Sequence, residues 1–415
     1  VNFSRQKGKK MTYGLNYLRD KLALYQNRAD IRYLYYEMKQ SMDDFMVTVP
    51  PKYRWMSNTL GWCAKSVDAL ADRIIFDKFG NDDFDFNFIY NMNNKDVLFD
   101  SAILSSLVTS CSFLYISKGN DDFPRLQVVD GRNATGIIDP ITNMLSEGYA
   151  VLNRDENGVA ITEAYFLPHA THIFENGEEV GRFEHKAPYP LLVPIIYRPD
   201  AKRPFGHSRI SRACMDIMQS AMRTIKRSEV SAEFYSFPQK YILGLSEDAE
   251  GIDTWKATMS SLLRFDKDED GDHPIVGQFQ QQSMTPYMDQ LRTLASLFAG
   301  ETGLTVDDLG FIQDNPSSAE AIKASHENLR LSARKAQRNF ATGFINAGYL
   351  ASCIRDDYEY SRNAIYDTKV IWRPIFEPDA AMLSSIGDGA IKINQAIPEY
   401  FTKETLQQLT GIEVK

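Results

Sequence analysis

The feature that most constrains this fold is a helical pattern that runs without proline from residue 317 to residue 355. A helix of that length extends about 55 Å, which exceeds the width of a small domain. Its apolar residues, which include Leu329, Phe340 and Phe344, fall within one face about 80° wide. A helix this long requires packing partners along its length.

A second face of the same helix is basic, and it is centred about 100° from the apolar face. We name its bases the basic stripe: Lys323, Arg330, Arg334 and Arg338. Glu320 and Glu327 share this side near the start of the helix, where negative charge is favourable. The stripe therefore has two interpretations. It is a solvated face of a helix with a complemented dipole, or it contacts a polyanion or an acidic neighbouring subunit.

The rest of the sequence predicts an α+β fold. Residues 111–198 contain short apolar runs separated by Gly, Pro, Asn and Asp, which predict a meander of antiparallel strands laid on helices. A further strand is predicted within residues 368–376. Helical patterns extend over residues 13–42, 59–76, 97–108, 208–237, 285–299, 380–396 and 403–409.

Residues 239–282 form a compact segment between two of these helices, with two predicted strands, a short helix near Trp255 and the acidic loop DKDEDGDH. Asp266, Asp268 and Asp270 in that loop have the spacing of the first carboxylate ligands of a calcium-binding loop. Gly277 occupies the position where such a loop carries a bidentate glutamate. The loop is a weak metal-site candidate, and the alternative is a solvated acidic hairpin tip.

The charge balance argues against one class of function. The 415 residues include 46 Lys and Arg against 55 Asp and Glu, which gives a formal net charge of −9. Proteins that bind nucleic acid tightly through phosphates usually carry a basic excess. The length and the 43% apolar content allow two or three domains with ordinary cores.

The familiar catalytic motifs are absent from the sequence. It contains no Walker A pattern, no G-x-G-x-x-G after a predicted strand, no H-E-x-x-H and no G-x-S-x-G. Its four cysteines are widely separated, which predicts buried thiols in a reducing compartment. The basic N-terminus is not followed by the apolar segment of a signal peptide. We therefore predict no catalytic residue, no cofactor and no membrane association.

Four stretches occur in a fixed order along the chain: WCAKSVDALADR (62–73), LVPIIYRPDAKRPFGHSRIS (192–211), TVDDLGF (305–311) and SSAEAIKASHENL (317–329). None of them is a catalytic signature. In this order and spacing they make the chain resemble the portal proteins of tailed bacteriophages, over most of its length.

The resemblance implies the phage portal fold, in which an α+β wing carries long stem helices, a small α/β clip and a short helical crown. The implied regions are a wing (1–207), stem helices (208–238 and 283–302), the clip (239–282), a tunnel loop (303–316), a long wing helix with a return strand (317–378) and the crown (379–415). The crown is short for the family, so it is either small or incomplete in this sequence.

The tunnel loop of such proteins narrows the channel around DNA. The positions that match it are Thr305, Val306, Asp307, Asp308, Leu309, Phe311, Gln313, Asp314 and Asn315. A channel must let a polyanion slide, so acidic and apolar residues suit this loop better than cations, which would hold the phosphates. The alternative is an ordinary helix connector in which Leu309 and Phe311 pack inward.

The resemblance also implies a location and partners. It implies a ring of about twelve copies at one capsid vertex of the virion, assembled in the host cytoplasm, with double-stranded DNA passing through it. The other implied partners are the terminase large subunit, the head-tail adaptor and the major capsid and scaffolding proteins. The competing hypothesis is a metal-dependent intracellular nucleic-acid-processing enzyme that uses scattered carboxylates, and it predicts a monomer or dimer with nuclease activity.

Overall fold

The structure is a computed structural model. It describes residues 13–41, 55, 58–119, 123–236, 240–243, 275–278, 283–311, 324–376, 378 and 380–412. The predicted residues that lie outside the described ones are Asp266, Asp268, Asp270, Gln313, Asp314, Asn315 and Lys323, together with the short helix near Trp255.

The described residues alternate between helical and strand-rich parts. The helices are α1 (Leu15–Tyr36), α2 (Trp62–Ala71), α3 (Phe86–Met92), α4 (Lys95–Thr109), α5 (Arg212–Ser236), α6 (Thr285–Thr302), α7 (Glu327–Arg355), α8 (Ala380–Ala396) and α9 (Lys403–Thr410). The strands are β1 (Phe76–Gly80), β2 (Cys111–Lys118), β3 (Pro124–Val129), β4 (Ala134–Ile138), β5 (Leu145–Arg154), β6 (Ala160–Leu167), β7 (Ala170–Glu175), β8 (Glu178–Glu184), β9 (Leu192–Ile196), β10 (Lys240–Leu243), β11 (Ile275–Gln278) and β12 (Lys369–Trp372).

The core forms around a three-stranded sheet with the order β3–β2–β9, against which α4 and α7 pack. Gly343 permits a close approach of α7 to β9, because a Cβ atom there would lie 2.6 Å from Ile195 Cδ1. Phe344 of α7 stacks on Phe99 of α4 with ring centroids 3.9 Å apart, and Phe99 stacks on Phe76 of β1 at 3.8 Å. Aromatic packing thus joins three distant parts of the chain.

The second sheet is a meander of five antiparallel strands in the order β4–β5–β6–β7–β8. Helix α1 lies on this sheet, with Leu18 and Leu22 buried against Tyr149. The guanidinium of Arg19 donates hydrogen bonds of 3.0 and 2.5 Å to Glu163, and the Tyr149 hydroxyl donates to the same carboxylate. Burial acts to raise the pKa of Glu163, but these hydrogen bonds outweigh it and hold the pKa below its ordinary value.

Helices α5 and α6 pack along each other in opposite directions. Ser211, before α5, hydrogen-bonds at 2.8 Å to Glu301 near the end of α6. Ser231, late in α5, hydrogen-bonds at 2.8 Å to Tyr287 at the start of α6. Between the helices in sequence, β10 and β11 pair as antiparallel strands with Lys240 opposite Gln278.

The longest described helix agrees with its predicted pattern where the two can be compared. Helix α7 extends from Glu327, with His326 at its N-cap, and residues 324 and 325 before it are also helical. Residues 317–323 lie outside the described part of the chain. The 29 residues of α7 extend about 43 Å.

Two elements escape the sequence analysis. The predicted helix over residues 59–76 ends at Ala71, and Phe76 instead begins β1, which pairs with β12. The short helix α3 has no predicted counterpart. The meander and helices α5, α6, α8 and α9 agree with their predicted ranges to within a few residues, so the predicted α+β class is confirmed.

Candidate functional site

The segment between α6 and α7 closes into a compact turn. Gly303 ends α6 with a φ of 69°, and Asp307–Leu309 form a single 3-10 turn. The N–H and the hydroxyl of Thr305 each donate a 2.9 Å hydrogen bond to Asp308 Oδ2. The N–H of Asp308 donates back to Thr305 Oγ1 at 3.1 Å. This reciprocal pair acts like a capping box and fixes the turn from within.

The apolar residues of this turn face the protein interior. Leu309 is 8% exposed and belongs to the main core, and Val306 and Phe311 are half-buried against that core. This placement agrees with the connector alternative for Leu309 and Phe311. The physical reason is that burying a leucine side chain stabilises the fold by about 1.5–3 kcal/mol.

The two described acids of the turn differ in their surroundings. Asp307 is exposed. The Asp308 carboxylate accepts both hydrogen bonds from Thr305 and lies 3.7 Å from His326 Nδ1. Asp308 therefore holds the turn and joins it to the start of α7, whereas Asp307 is available to a ligand.

The described part of the basic stripe lies on the solvent side of α7, opposite the fully buried Phe340. Arg334 and Arg338 are exposed, and Arg330 is half-buried. Arg330 donates hydrogen bonds of 2.7 and 2.5 Å to Glu327, which lower the pKa of Glu327 and raise the pKa of Arg330. The Arg330 part of the stripe is thus neutralised within the helix.

The other end of α7 is surrounded by acids that the sequence analysis missed. We name them the acidic end: Asp83, Asp85, Asp356, Asp357 and Glu359. Arg355 brings the two segments together, because it donates to the Phe84 carbonyl at 3.0 Å and to Asp356 at 2.8 Å. The run DDYE after the helix is the sequence signal, but its neighbours at Asp83 and Asp85 are visible only in the fold.

Arg209 anchors the junction between the helix pair and the core. Its side chain is buried, and its Nε donates to the Ser66 carbonyl of α2 at 3.2 Å. Its Nη2 donates to the Thr302 carbonyl at the last turn of α6, where a cation complements the helix dipole. The end of α6, and hence the start of the turn that follows, is fixed to the core by one residue.

Other candidate chemistry is limited in the described part of the chain. Among those residues, no group of three or more His, Cys, Asp or Glu is arranged to hold a metal ion. No described helix is both long and apolar enough to cross a membrane. Cys63, Cys111, Cys214 and Cys353 are buried free thiols, and burial raises the pKa of each.

Comparison with known families gives a consistent result. Residues 16–390 match the family described as phage portal protein, SPP1 Gp6-like. The portal protein of Mycobacterium phage L5 is 24% identical over 386 residues, which cover 86% of this chain and 77% of that protein. The portal protein of Mycobacterium phage D29 is 23% identical over the same shares.

Two solved structures give matches of low sequence identity. A chain from the neck of an empty gene transfer agent particle, computed with C6 symmetry, has a TM-score of 0.47 and 12% identity, and the match covers 90% of this chain and 96% of that one. A chain from the virion of the native particle has a TM-score of 0.45 and 13% identity, with coverage of 85% and 90%.

Proposed function

Because this chain belongs to the SPP1 Gp6-like family of phage portal proteins, we propose that it forms a ring at one capsid vertex, through which double-stranded DNA is packaged and ejected. The observation that carries the proposal is the family match over residues 16–390. In this proposal the protein is a conduit and docking platform, without catalytic residues or cofactor. Its partners are the terminase large subunit, the head-tail adaptor, and the capsid and scaffolding proteins.

The proposal assigns a role to each part of the fold. The two sheets with α1–α4 and α7 form the wing, and β12 is its return strand. The antiparallel pair α5 and α6 forms the stem. The strand pair β10–β11 belongs to the clip, which binds first the terminase motor and later the head-tail adaptor. Helices α8 and α9 form the short crown. Arg209 fixes the end of α6 to the core, and this supports the assignment. A stem helix must hold the loop that follows it at a fixed place beside the channel.

The turn after α6 is proposed as the part of the chain closest to DNA. Among the described residues of the turn, the acid exposed to solvent is Asp307. The whole chain carries a net charge of −9. Repeated cationic contacts would release counterions and hold duplex DNA in place. An acidic turn stiffened from within by Thr305 and Asp308 narrows a channel without that affinity. We extend the proposal to Gln313, Asp314 and Asn315 from the family resemblance alone.

The basic stripe is proposed as a contact between copies. Lys323 is included from the sequence pattern, and Arg334 and Arg338 from their exposure on α7. Single charge reversals at these positions should weaken ring assembly. Unchanged assembly in all of them would show that the stripe is only a solvated face.

The test of the proposed function is the assembly state of the purified full chain. Native mass spectrometry and negative-stain electron microscopy should show an annular assembly with a central opening wide enough for a duplex. A chain that stays monomeric at all salt and protein concentrations, or a ring too narrow for duplex DNA, contradicts the proposal.

The same sample distinguishes the conduit from the enzymatic alternative. Incubation with plasmid and linear duplex DNA in Mg²⁺ or Mn²⁺ should leave both substrates intact. Divalent-dependent cleavage that copurifies with a monomer or dimer would instead support a nucleic-acid-processing enzyme. Cleavage that separates from the protein on a further column would identify a contaminant.

A further inference from the structure

Helix α7 exposes bases in its first half and is followed directly by acids. Cations are favourable at the C-terminal end of a helix and anions at the N-terminal end. The first half of α7 instead exposes Arg334 and Arg338, and Asp356 and Asp357 directly follow its last residue. The dipole does not account for Arg334 and Arg338, because both lie beyond the first turn, where its effect has fallen off.

The two charges that do follow the favourable order are already paired. Glu327 in the first turn accepts both hydrogen bonds from Arg330, and Arg355 in the last turn donates to Asp356 at 2.8 and 2.8 Å. Within the described residues, neither Arg334 nor Arg338 forms an ion pair. As far as the structure describes the chain, these two arginines are therefore available to an outside partner.

The acidic end is built as one surface. Arg355 Nη1 lies 4.0 Å from Asp85 Oδ2 while its other nitrogens hold Asp356. The ring of Tyr360 packs edge-on against Phe84 at 5.0 Å, and its hydroxyl donates to Asp356 at 3.1 Å. Arg355 thus contacts two carboxylates, those of Asp85 and Asp356, and Asp83, Asp357 and Glu359 lie next to these segments in the chain, so the surface stays negative.

The two surfaces cannot meet within one subunit. Arg334 and Arg338 lie some twenty residues before Asp356 on a continuous helix, which separates them by roughly 30 Å. Opposite charges at the two ends of one rigid element suit a head-to-tail contact, in which two different surfaces of identical chains meet and the ring can close.

We infer that Arg334 and Arg338, the exposed described part of the basic stripe, contact the acidic end of α7 in the next copy. This inference rests on the proposed function, because it requires a ring. The occupant is a second copy of this chain, since the chain itself supplies a surface of opposite charge on the same helix. Complementary charges of this kind fix the register of an interface and reject wrong neighbours.

The test uses two full-length variants that reverse one surface each. Variant A carries Arg334→Glu and Arg338→Glu. Variant B carries Asp83→Lys, Asp357→Asn and Glu359→Lys, where asparagine is chosen because residue 357 has a φ of 45°. Each variant alone places like charges opposite each other at every contact, so we expect its apparent association constant to fall about tenfold or more.

Mixing the variants is the decisive arm. In an alternating ring, the acidic stripe of A meets the basic end of B, and the basic stripe of B meets the acidic end of A. We therefore expect an equimolar mixture to restore rings that contain equal numbers of both variants, counted by native mass spectrometry with a mass-tagged B. Restored assembly also shows that both variants are folded.

Matched controls carry comparable charge changes at exposed positions away from α7. They are Lys186→Glu with Lys202→Glu, and Glu156→Lys with Glu178→Lys, and both double variants should form rings like the wild type.

Two results overturn the inference: variants A and B each assemble alone, or they fail to assemble when mixed. If the wild type still forms rings in these cases, the proposed function stands. Variant A rings that assemble but retain less duplex DNA also overturn the inference, in favour of a DNA contact. A wild type that never assembles refutes the ring itself.

Discussion

His185 couples the stability of the chain to pH, and burial is the main cause. Its side chain is 7% exposed, and neither ring nitrogen has a hydrogen-bond partner among the described residues. Desolvation, together with the nearby His169, lowers the pKa of His185 to about 4. An unfolded chain titrates at about 6.5. Between these two values the unfolded state binds more protons, so the free energy of unfolding falls as the pH falls.

We expect His185→Phe to remove this pH dependence. In the wild type, protonation of this residue should lower the free energy of unfolding by about 2–3 kcal/mol between pH 6.5 and pH 4. The variant keeps a ring beside Phe183 but has no proton to bind. Urea unfolding of the unassembled chains at a series of pH values measures the difference. Equal slopes in both proteins would contradict a neutral, buried imidazole.

Glu163 helps to hold α1 on the meander, and its substitution should lower the free energy of unfolding. Glu163→Gln keeps the shape but weakens two hydrogen bonds from Arg19 and one from Tyr149. We expect a loss of about 1–3 kcal/mol in the free energy of unfolding at pH 7. The control is Glu184→Gln, whose ion pair with Arg182 is exposed and should contribute less than about 0.5 kcal/mol. Similar losses in both variants would contradict a special role for the buried pair.

The sequence predicts the local roles of residues such as Asp308 but not long-range pairs such as Arg19 and Glu163. Arg19 and Glu163 are separated by 144 residues, so their pairing depends on how α1 lies across the meander. The inward packing of Leu309 and Phe311 is among the sequence-based alternatives, because an apolar residue in a short connector commonly packs inward. The internal role of Asp308 follows the spacing of Thr305 and Asp308, which is that of a capping box.

The packing of α7 on β9 depends on glycine at one position. In Gly343→Ala, the new Cβ would lie 2.6 Å from Ile195 Cδ1 and 2.9 Å from the Pro194 carbonyl oxygen. We expect a loss of about 1–3 kcal/mol from this overpacking, although alanine favours the helix by about 1 kcal/mol. Thermal and urea unfolding of the unassembled chain measure the change.

Gly300 supplies the matched control for that prediction. It also lies inside a helix, α6, but a Cβ there would meet nothing within 4 Å. Gly300→Ala should therefore stabilise the chain by about 0.5–1 kcal/mol. A stabilising Gly343→Ala would show that α7 and β9 have room to move apart.

The long and strongly periodic elements are those that the sequence predicts best. Helices α5, α6 and α8 and the meander follow local patterns of apolar residues, and the apolar face of α7 is correctly predicted through Phe340. Strand β1 is not predicted from the sequence, because a pattern of five residues is too short to be distinguished from the end of the helix before it. Its partner β12 lies about 290 residues later in the chain, so the pairing leaves no local signal.

At the scale of the whole molecule, charge is segregated rather than balanced. The turn after α6 exposes an acid at Asp307, the middle of α7 exposes Arg334 and Arg338, and the end of α7 gathers acids around Arg355. Each surface alone is an ordinary solvated patch. In the ring that we propose, the turn would face the channel, and Arg334 and Arg338 of one copy would be neutralised by the acidic end of the next copy, which keeps cations away from the DNA.

This arrangement predicts the effect of one substitution at the turn. Asp307→Lys adds one cation per subunit at an exposed position, without touching the Thr305–Asp308 bonds or the buried Leu309. Ring assembly should be unchanged, whereas the yield or length of packaged DNA should fall because phosphates are held in the channel. The binding constant for duplex DNA should also become more sensitive to salt: the slope of its logarithm against the logarithm of the salt concentration should become more negative by about 0.9 for each phosphate that a new lysine neutralises.

The control is Asp307→Asn, which removes the negative charge without adding a cation. This variant separates the loss of charge from new binding and should package DNA close to the wild type. Wild-type packaging and salt dependence in Asp307→Lys would mean that the turn is only a connector between α6 and α7.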